Sequence, residues 1–191
     1  AKSQLSGPMG SMTVEQKIRI VYPTTLRQEN VLPFGKIEVF TDGKTGWMKA
    51  PQGQMPIPGP QLQQAKGELF RLTETLLLSD REANRTVNFV KKDKVGEREA
   101  EVIEIASPEG NQVTVWVDAA SGRLLKKQYQ GMAMAGPAAT VEETYEDFRE
   151  VGGVPAPFKI TIFQNDKKFA EMQLTELQYN TGLKAEDLAK P

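Results

Sequence analysis

Carboxylates are the residues of this sequence whose crowding could support chemistry. Five of them fall within nine positions: Glu142, Glu143, Glu146, Asp147 and Glu150. Two carboxylates can hydrolyse a glycosidic bond when they face each other across a cleft. Alternate side chains of a strand point to opposite faces of the sheet, so this run would not converge on one substrate. The run therefore favours a solvated strand edge over a catalytic pair.

The other usual catalytic groups are missing, because the 191 residues include no His and no Cys. Without His, Ser-His-Asp catalysis and His-based zinc sites are excluded. Without Cys, disulfides, iron–sulfur clusters and thiol catalysis are excluded. We therefore predict a protein that is not an enzyme and carries no metal and no cofactor. A carboxylate-dependent hydrolase is the least favoured alternative.

Composition indicates an ordinary globular protein, with 39% hydrophobic and 26% charged residues. The 24 basic and 25 acidic residues give a net charge of -1, which argues against nucleic acid as a partner. No apolar run approaches the roughly 20 residues of a transmembrane segment. We expect residues 1–191 to form a single domain. Because the first residues already have the pattern of a strand, we expect it to be a fragment or C-terminal domain of a longer envelope protein.

Short alternating segments separated by turn residues predict a mostly antiparallel β protein. In the first of them, one face carries Val14, Ile18, Ile20 and Tyr22. Further strands are predicted throughout 86–179, and a short helix over 183–188. One long helix is predicted over 60–78, from an apolar stripe made by Leu62, Ala65, Leu69, Phe70, Leu72, Leu76 and Leu77.

The order of these elements predicts the fold class. Nothing alternates strand with helix, so a doubly wound parallel sheet is not expected. A large, twisted antiparallel sheet tends to curl around a single helix that covers one of its faces. We therefore predict an α+β fold in which a curved antiparallel sheet, a half-open barrel, wraps around one main helix.

Two clusters in the first half carry a family resemblance. Arg27 follows a proline turn in 23–29, and Trp47 follows the turn of 42–46. Together they resemble LolA-like proteins, the periplasmic carriers of outer-membrane lipoproteins. The resemblance implies an apolar cavity between a curved sheet and helices, and a place in the bacterial periplasm or cell envelope. It also implies that Arg27 helps to hold a lid closed over the cavity.

A second resemblance lies mainly in the later segments 117–126, 142–154, 157–159 and 188–191. They are similar to the non-catalytic C-terminal domain of bacterial insulinase-type zinc peptidase homologues. That resemblance implies a peptidase-like domain in the same chain as a partner. Peptidase activity itself does not carry over, because the motif needs two His and this sequence has none.

Two functions are predicted as alternatives. The first is a binding domain that holds an apolar ligand, an acyl chain, or a lipidated or extended peptide on the concave face of the sheet. The second is a structural accessory domain with a filled core and no ligand. For the first, the predicted ligand-binding residues are Arg27, Trp47, Leu69, Phe70 and Leu76, with Met132 and Met134 at the rim. Trp47 and the helix residues have an alternative as plain core, and the methionines as a hairpin tip.

Overall fold

A computed structural model describes residues 1–7, 10–132 and 138–190 of the chain. The backbone divides into two compact units. The first unit combines residues 1–69 with the C-terminal residues from Met172 onward, and the second comprises residues 70–171. The expectation of one domain over the whole chain stays a prediction.

The first unit contains six antiparallel strands. They are β1 (Lys2–Gly7), β2 (Gly10–Val21), β3 (Thr25–Leu32), β4 (Gly35–Thr41), β5 (Gly46–Ala50) and β6 (Gly53–Pro56). Each strand pairs with its neighbour in sequence, so the unit is a continuous meander. Helix α1 (Gly59–Phe70) follows, with its last residue in the second unit. The C-terminal helix α3 (Ala185–Ala189) also belongs to the first unit, close to the predicted 183–188.

The turn between β4 and β5 shows how a short sequence signal sets a strand end. The Asp42 carboxylate accepts hydrogen bonds from the backbone N–H groups of Thr45, at 2.7 Å, and Lys44, at 2.8 Å. These bonds lower the pKa of Asp42. Gly43 has a φ of 84°, in the left-handed region that glycine adopts readily. The turn brings Trp47 directly opposite Phe40 on the neighbouring strand.

The second unit contains helix α2 (Thr73–Leu77), a 3-10 turn (Ser79–Arg81) and seven strands. The strands are β7 (Thr86–Val95), β8 (Arg98–Ala106), β9 (Gln112–Asp118), β10 (Leu124–Met132), β11 (Ala138–Val151), β12 (Val154–Gln164) and β13 (Lys167–Gln173), of which the last two residues belong to the first unit. In spatial order they run from β13 to β7, again as a meander. Short turns with left-handed residues, such as Gly110 and Gly122, join them.

The described strands form one open antiparallel sheet of thirteen strands, with β6 and β7 at its ends. This confirms the predicted α+β fold class with a large antiparallel sheet and few helices. The helices in the described ranges are all too short or too polar to cross a lipid bilayer.

The predicted helix over 60–78 is wrong in its extent, because it is interrupted at Leu72. That residue has an extended backbone, with φ of -58° and ψ of 140°. The Lys127 ammonium donates a hydrogen bond of 3.0 Å to the carbonyl of Arg71, just before the break. A side chain on a sheet strand thus takes over a carbonyl that a continuing helix would use. Sequence periodicity alone could not reveal this partner.

The largest hydrophobic core among the described residues lies in the second unit, where Phe70, the last residue of α1, and Leu76 of α2 pack on one sheet face. Its buried members are Phe70, Leu76, Ile105, Val113, Val115, Leu124 and Tyr145. A smaller cluster on other residues of the same strands consists of Ala100, Val102, Trp116 and Leu125. The alternation of Val113 and Val115 with polar residues accounts for their shared face.

The predicted apolar face of β2 is only partly buried. Val14 is buried, whereas Ile18 and Tyr22 are 44% and 53% exposed. Tyr22 lies beyond the end of the strand, in the turn to β3. Alternation correctly located the strand, but it did not determine which of its residues would be covered.

Candidate functional site

Arg27 lies on β3 and binds the C-terminal segment of the first unit. One guanidinium nitrogen donates to the carbonyls of Leu188, at 3.4 Å, and Lys190. The second terminal nitrogen of the guanidinium lies 2.5 Å from the carboxylate of Glu38 on β4. The predicted role of Arg27 in holding a lid stays a prediction. What it contacts here is the end of α3.

Trp47 lies beside Arg27 and binds the same segment. Its indole Nε1–H donates to the carbonyl of Ala189 at 3.2 Å. The ring stacks on Phe40 with centroids 5.6 Å apart, and the Arg27 guanidinium lies 5.2 Å from its centroid. Leu188, whose carbonyl accepts a hydrogen bond from Arg27, is only 1% exposed. Together these side chains clamp α3 to β3–β5.

Charged residues on β2–β4 surround this clamp. Glu29 pairs with Arg19 and Lys36, each at 2.6 Å, and Lys36 also reaches Glu38 at 2.9 Å. The hydrogen bond from Lys36 is the main reason that the pKa of Glu29 is lowered. Burial by itself would raise the pKa of Glu38. The hydrogen bonds from Arg27 and Lys36 outweigh burial, so that pKa is lowered too.

The predicted helix residues separate into two environments. Leu69 is buried and belongs to the first unit. Phe70 and Leu76 meet in the core cluster of the second unit. The structure therefore brings Arg27 and Trp47 together, and separately Phe70 and Leu76. Their joint role as one ligand site is not tested by this placement and stays a prediction.

The side chains of the two predicted rim residues lie outside the described part of the structure. Met132 is the last residue of β10, but its side chain lies outside the described part of the structure. Met134 lies wholly outside the described residues. Their contact with a ligand stays a prediction.

A cavity of about 290 Å³ lies in the second unit, against α2 and strands β7–β10. Eight of its eleven lining residues are aliphatic: Leu76, Leu77, Val87, Ile103, Ile105, Val115, Val117 and Leu124, with Ser79, Asp80 and Gly122 completing the wall. Leu77 and Val87 are 44% and 39% exposed, so apolar surface continues to the mouth. Such a cavity accepts an apolar group and offers little to a polar one.

Among these lining residues, only Leu76 was predicted to bind a ligand, and Leu77 was predicted only as part of the apolar helix stripe. The signal for the rest was available in part, because Val115 and Val117 share a strand face by alternation. The alternation does not say whether a strand face is filled by the helix or left open. That depends on how far α2 extends along the sheet.

Arg85 fixes α2, which forms one wall of the cavity. Its guanidinium donates to the carbonyl of Thr75 at 3.0 Å and to the Ser79 hydroxyl at 2.9 Å. It also lies 4.9 Å from the ring centroid of Phe70. One buried cation thus ties the end of α2 to the following turn.

The acidic run is solvated in part, because Glu146, Asp147 and Glu150 are exposed, but it does not lie on a sheet edge. It lies on β11, an interior strand between β10 and β12. Glu143 is buried and accepts hydrogen bonds from the hydroxyls of Tyr129 and Tyr145, both at 2.9 Å. The Lys127 ammonium is 3.1 Å away. The edge prediction was wrong because the residues of a strand do not reveal whether other strands pair with it on both sides.

This cluster is internally satisfied. Burial would raise the pKa of Glu143, but the charge of Lys127 and the tyrosine hydrogen bonds outweigh burial and lower it. Burial and the Glu143 carboxylate raise the pKa of Tyr145 well above its usual value. A neutral tyrosine beside an ionised glutamate is a hydrogen-bond pair rather than an acid–base pair at neutral pH. In the described ranges no group of three or more acidic residues is arranged to hold a metal ion.

Comparison with known proteins bears on the fold. No family profile matches the sequence, and no curated protein matches it significantly. A domain assigned to an outer membrane lipoprotein-sorting protein of Vibrio parahaemolyticus is similar, with a TM-score of 0.65 at 15% identity over 98% of this chain and 86% of that one. A LolA superfamily protein from Nitrosomonas europaea has a TM-score of 0.63 at 14% identity over 97% and 88%.

The chain has a LolA-like fold. A DUF1329 family protein from Desulfovibrio piger supports the same conclusion, with a TM-score of 0.62 at 11% identity over 96% of this chain and 85% of that one. At these identities the LolA-like similarity concerns the fold alone. The resemblance to the peptidase-associated domain stays a prediction.

Proposed function

We propose that this LolA-like domain is a non-enzymatic carrier that holds an acyl chain or a similar apolar group in the cavity of the second unit. The observation that carries the proposal is the aliphatic lining of that cavity, which remains unfilled beside a well-packed core. The cavity is partly open to solvent, so its apolar lining is in contact with water. A ligand that covers this lining removes apolar surface from water, which favours binding.

The chemistry of the cavity selects for a hydrocarbon. Each methylene that leaves water contributes about 0.8 kcal/mol, and a saturated chain has no polar group to desolvate. The Ser79 hydroxyl is already engaged with Thr75 and Arg85, so it has little hydrogen-bonding capacity left for a ligand. Ligand cavities typically range from about 300 to 1,000 Å³, so this one suits a single chain rather than a bulky lipid.

The fold neighbours suggest the kind of cargo. The Vibrio parahaemolyticus domain is named as part of an outer membrane lipoprotein-sorting protein. By analogy, the cargo of this chain would be a lipid or a lipidated peptide, and its place the periplasm or cell envelope of a bacterium. The rival role, an accessory domain of a peptidase-like protein, requires a filled core. The cavity therefore supports the carrier role over the accessory role.

A fluorescent fatty acid tests the proposal. We expect 11-(dansylamino)undecanoic acid to bind the protein with a blue shift, and dodecanoate to displace it. Val117→Trp should fill the cavity and weaken binding by about tenfold or more, equivalent to about 1.4 kcal/mol. Val154→Trp is the matched control, because Val154 is an exposed valine outside the cavity lining.

Native mass spectrometry adds an independent measurement of the complex. A mass shift equal to one dodecanoate, absent in Val117→Trp but present in Val154→Trp, would support a single chain in this cavity. Equal binding by all three proteins would show that the ligand binds elsewhere. No binding by the unaltered protein would favour the accessory role.

A further inference from the structure

Strand β7 has one side of its backbone free to pair. It ends the sheet order, and β8 is its only strand neighbour among the described residues. In an antiparallel strand, alternate residues direct their N–H and C=O groups to opposite sides. Half of these groups on β7 therefore point away from β8. Their regular spacing complements the backbone of another extended peptide.

The first half of β7 is unusually apolar for an exposed edge. Val87 and Phe89 are 39% and 60% exposed. They lie opposite Ile105 and Ile103 on β8, and both isoleucines line the cavity. Val87 lines the cavity as well. Val87 thus places this part of β7 at the cavity wall, and Phe89 lies opposite a second lining residue.

The second half of β7 carries features that prevent extended pairing. A bulge interrupts the register between Phe89 and Lys91, and Lys92 and Lys94 come after it. Bulges and lysines are the usual protection of sheet edges. Residues 86–89 have neither. The open stretch is therefore limited to about four residues, and it is the part adjacent to the cavity.

We propose that residues 86–89 pair, strand to strand, with a short extended segment of the cargo whose attached acyl chain enters the cavity. The inference rests on the proposed function and specifies the group to which the acyl chain is attached: a strand-forming peptide. Two lysines of β7, Lys91 and Lys94, already pair with Asp93 and Glu99, whereas Lys92 forms no ion pair among the described residues and favours an acidic residue just beyond the paired segment. The occupant is thus an acylated peptide, recognised by its backbone and by one carboxylate.

Acylated peptides with and without backbone donors test the pairing. The probes are dodecanoyl-Ser-Val-Thr-Val-Asp-amide, the same peptide without its acyl chain, and dodecanoyl amide alone. A further pair of probes is the acylated peptide N-methylated at two alternate residues, in both possible phases. N-methylation removes the N–H donor and leaves the side chains. We expect the unmethylated peptide to bind about tenfold more tightly than dodecanoyl amide, equivalent to about 1.4 kcal/mol. Methylation in one phase should abolish this gain.

Hydrogen exchange locates the effect. We expect the peptide, but not dodecanoyl amide, to slow amide exchange within residues 86–89. Phe89→Ser should remove the gain from the peptide while dodecanoyl amide still binds. Val154→Ser, which changes another exposed apolar residue outside the cavity lining, should leave both affinities unchanged.

The outcomes separate this inference from the proposed function. If dodecanoyl amide binds and N-methylation in neither phase matters, strand pairing is wrong while the carrier role stands. If the peptide without its acyl chain binds β7 and dodecanoyl amide does not, pairing is upheld and the acyl cavity is wrong. A concentration-dependent dimer that Phe89→Ser abolishes would assign the edge to a second copy and overturn the inference.

Discussion

The two units treat their binding surfaces in opposite ways. In the first unit, Arg27 and Trp47 are already engaged with backbone carbonyls of the chain's own C-terminal segment. In the second unit, aliphatic residues around Leu76 leave a cavity that nothing in the described chain fills. The arginine and the tryptophan thus lie on a surface that the chain's own C-terminal segment covers. The aliphatic side chains of the second unit line a surface that remains open.

The difference arises from the requirements of each kind of side chain. A partly buried guanidinium or indole N–H forms a hydrogen bond where an acceptor is available, and the end of a helix supplies unused carbonyls. An aliphatic wall has no such need and can remain uncovered at a modest cost. In the second unit, the Lys127 ammonium and the Glu143 carboxylate satisfy each other. This pair therefore needs no partner from the cavity.

The largest effect is expected for Lys127→Met in the second unit. The variant leaves the Glu143 carboxylate buried without its cation, and the Arg71 carbonyl without its donor. Removing one partner of a buried pair costs about 3–5 kcal/mol. Urea unfolding should show a loss of that size.

Lys126→Met is the matched control on the same strand. Lys126 pairs with Glu142 at 3.1 Å, but both side chains are more exposed. A pair of that kind contributes up to about 1 kcal/mol. Equal losses for the two variants would mean that the cluster around Glu143 is not the internally closed unit described here.

Leu188→Ala should release the C-terminal helix of the first unit. Leu188 is almost wholly buried, and truncation of a buried leucine costs about 2–5 kcal/mol. We expect faster hydrogen exchange within α3 and loss of the bond from Trp47 to Ala189. Leu183→Ala, at a position 41% exposed in the same segment, should change unfolding by less than about 0.5 kcal/mol. Unchanged exchange in Leu188→Ala would show that polar contacts alone hold the helix.

Arg27→Lys should weaken the same clamp by a smaller amount. Lysine keeps the charge near Glu38 but lacks the planar fork that reaches the carboxylate and the two carbonyls together. We expect a loss of about 1–2 kcal/mol, measured by urea unfolding and by exchange in α3. Arg19→Lys, which alters only the neighbouring pair with Glu29, is the control. A greater loss of stability for Arg19→Lys would mean that the surrounding ion pairs contribute more than the contacts of Arg27 with α3.

Acid should weaken the clamp by the smallest amount. The pKa of Glu38 is lowered in the folded protein, so its contribution to stability is complete above its ordinary value of 4.5 and is lost as the pH falls through the folded pKa. The indole N–H signal of Trp47 in proton NMR should therefore change below about pH 4.5. Glu38→Gln should show a smaller change over that range. An identical acid response in the variant would assign the effect to other carboxylates, such as Glu29.

Much of the architecture was predictable from local pattern. Alternation located most strands, and the Asp42-Gly43 turn is set by bonds among neighbouring residues. The break at Leu72 was not predictable, because the carbonyl of Arg71 is taken by Lys127, 56 positions away. The buried state of Glu143 was not predictable either. Its three partners lie on β10 and β11, and only pairing of those strands brings them together.

The site was predictable only in part for a similar reason. Arg27 and Trp47 were predicted from the resemblance to LolA-like proteins, and the structure places them side by side. What they bind lies more than 140 residues further along the chain. The cavity residues, by contrast, have the same types as any strand core. Only packing distinguishes a filled face from an open one.

By itself the sequence determined the class of this protein: an antiparallel, His-free and Cys-free chain whose strands and turns are set by alternation and short-range hydrogen bonds. The tertiary structure decided which surface is occupied and which remains open. The physical reason is the sequence separation of the interacting residues. Periodicity and turn chemistry act between neighbours, whereas burial, ion pairing and cavity formation depend on residues that meet only after the sheet is assembled.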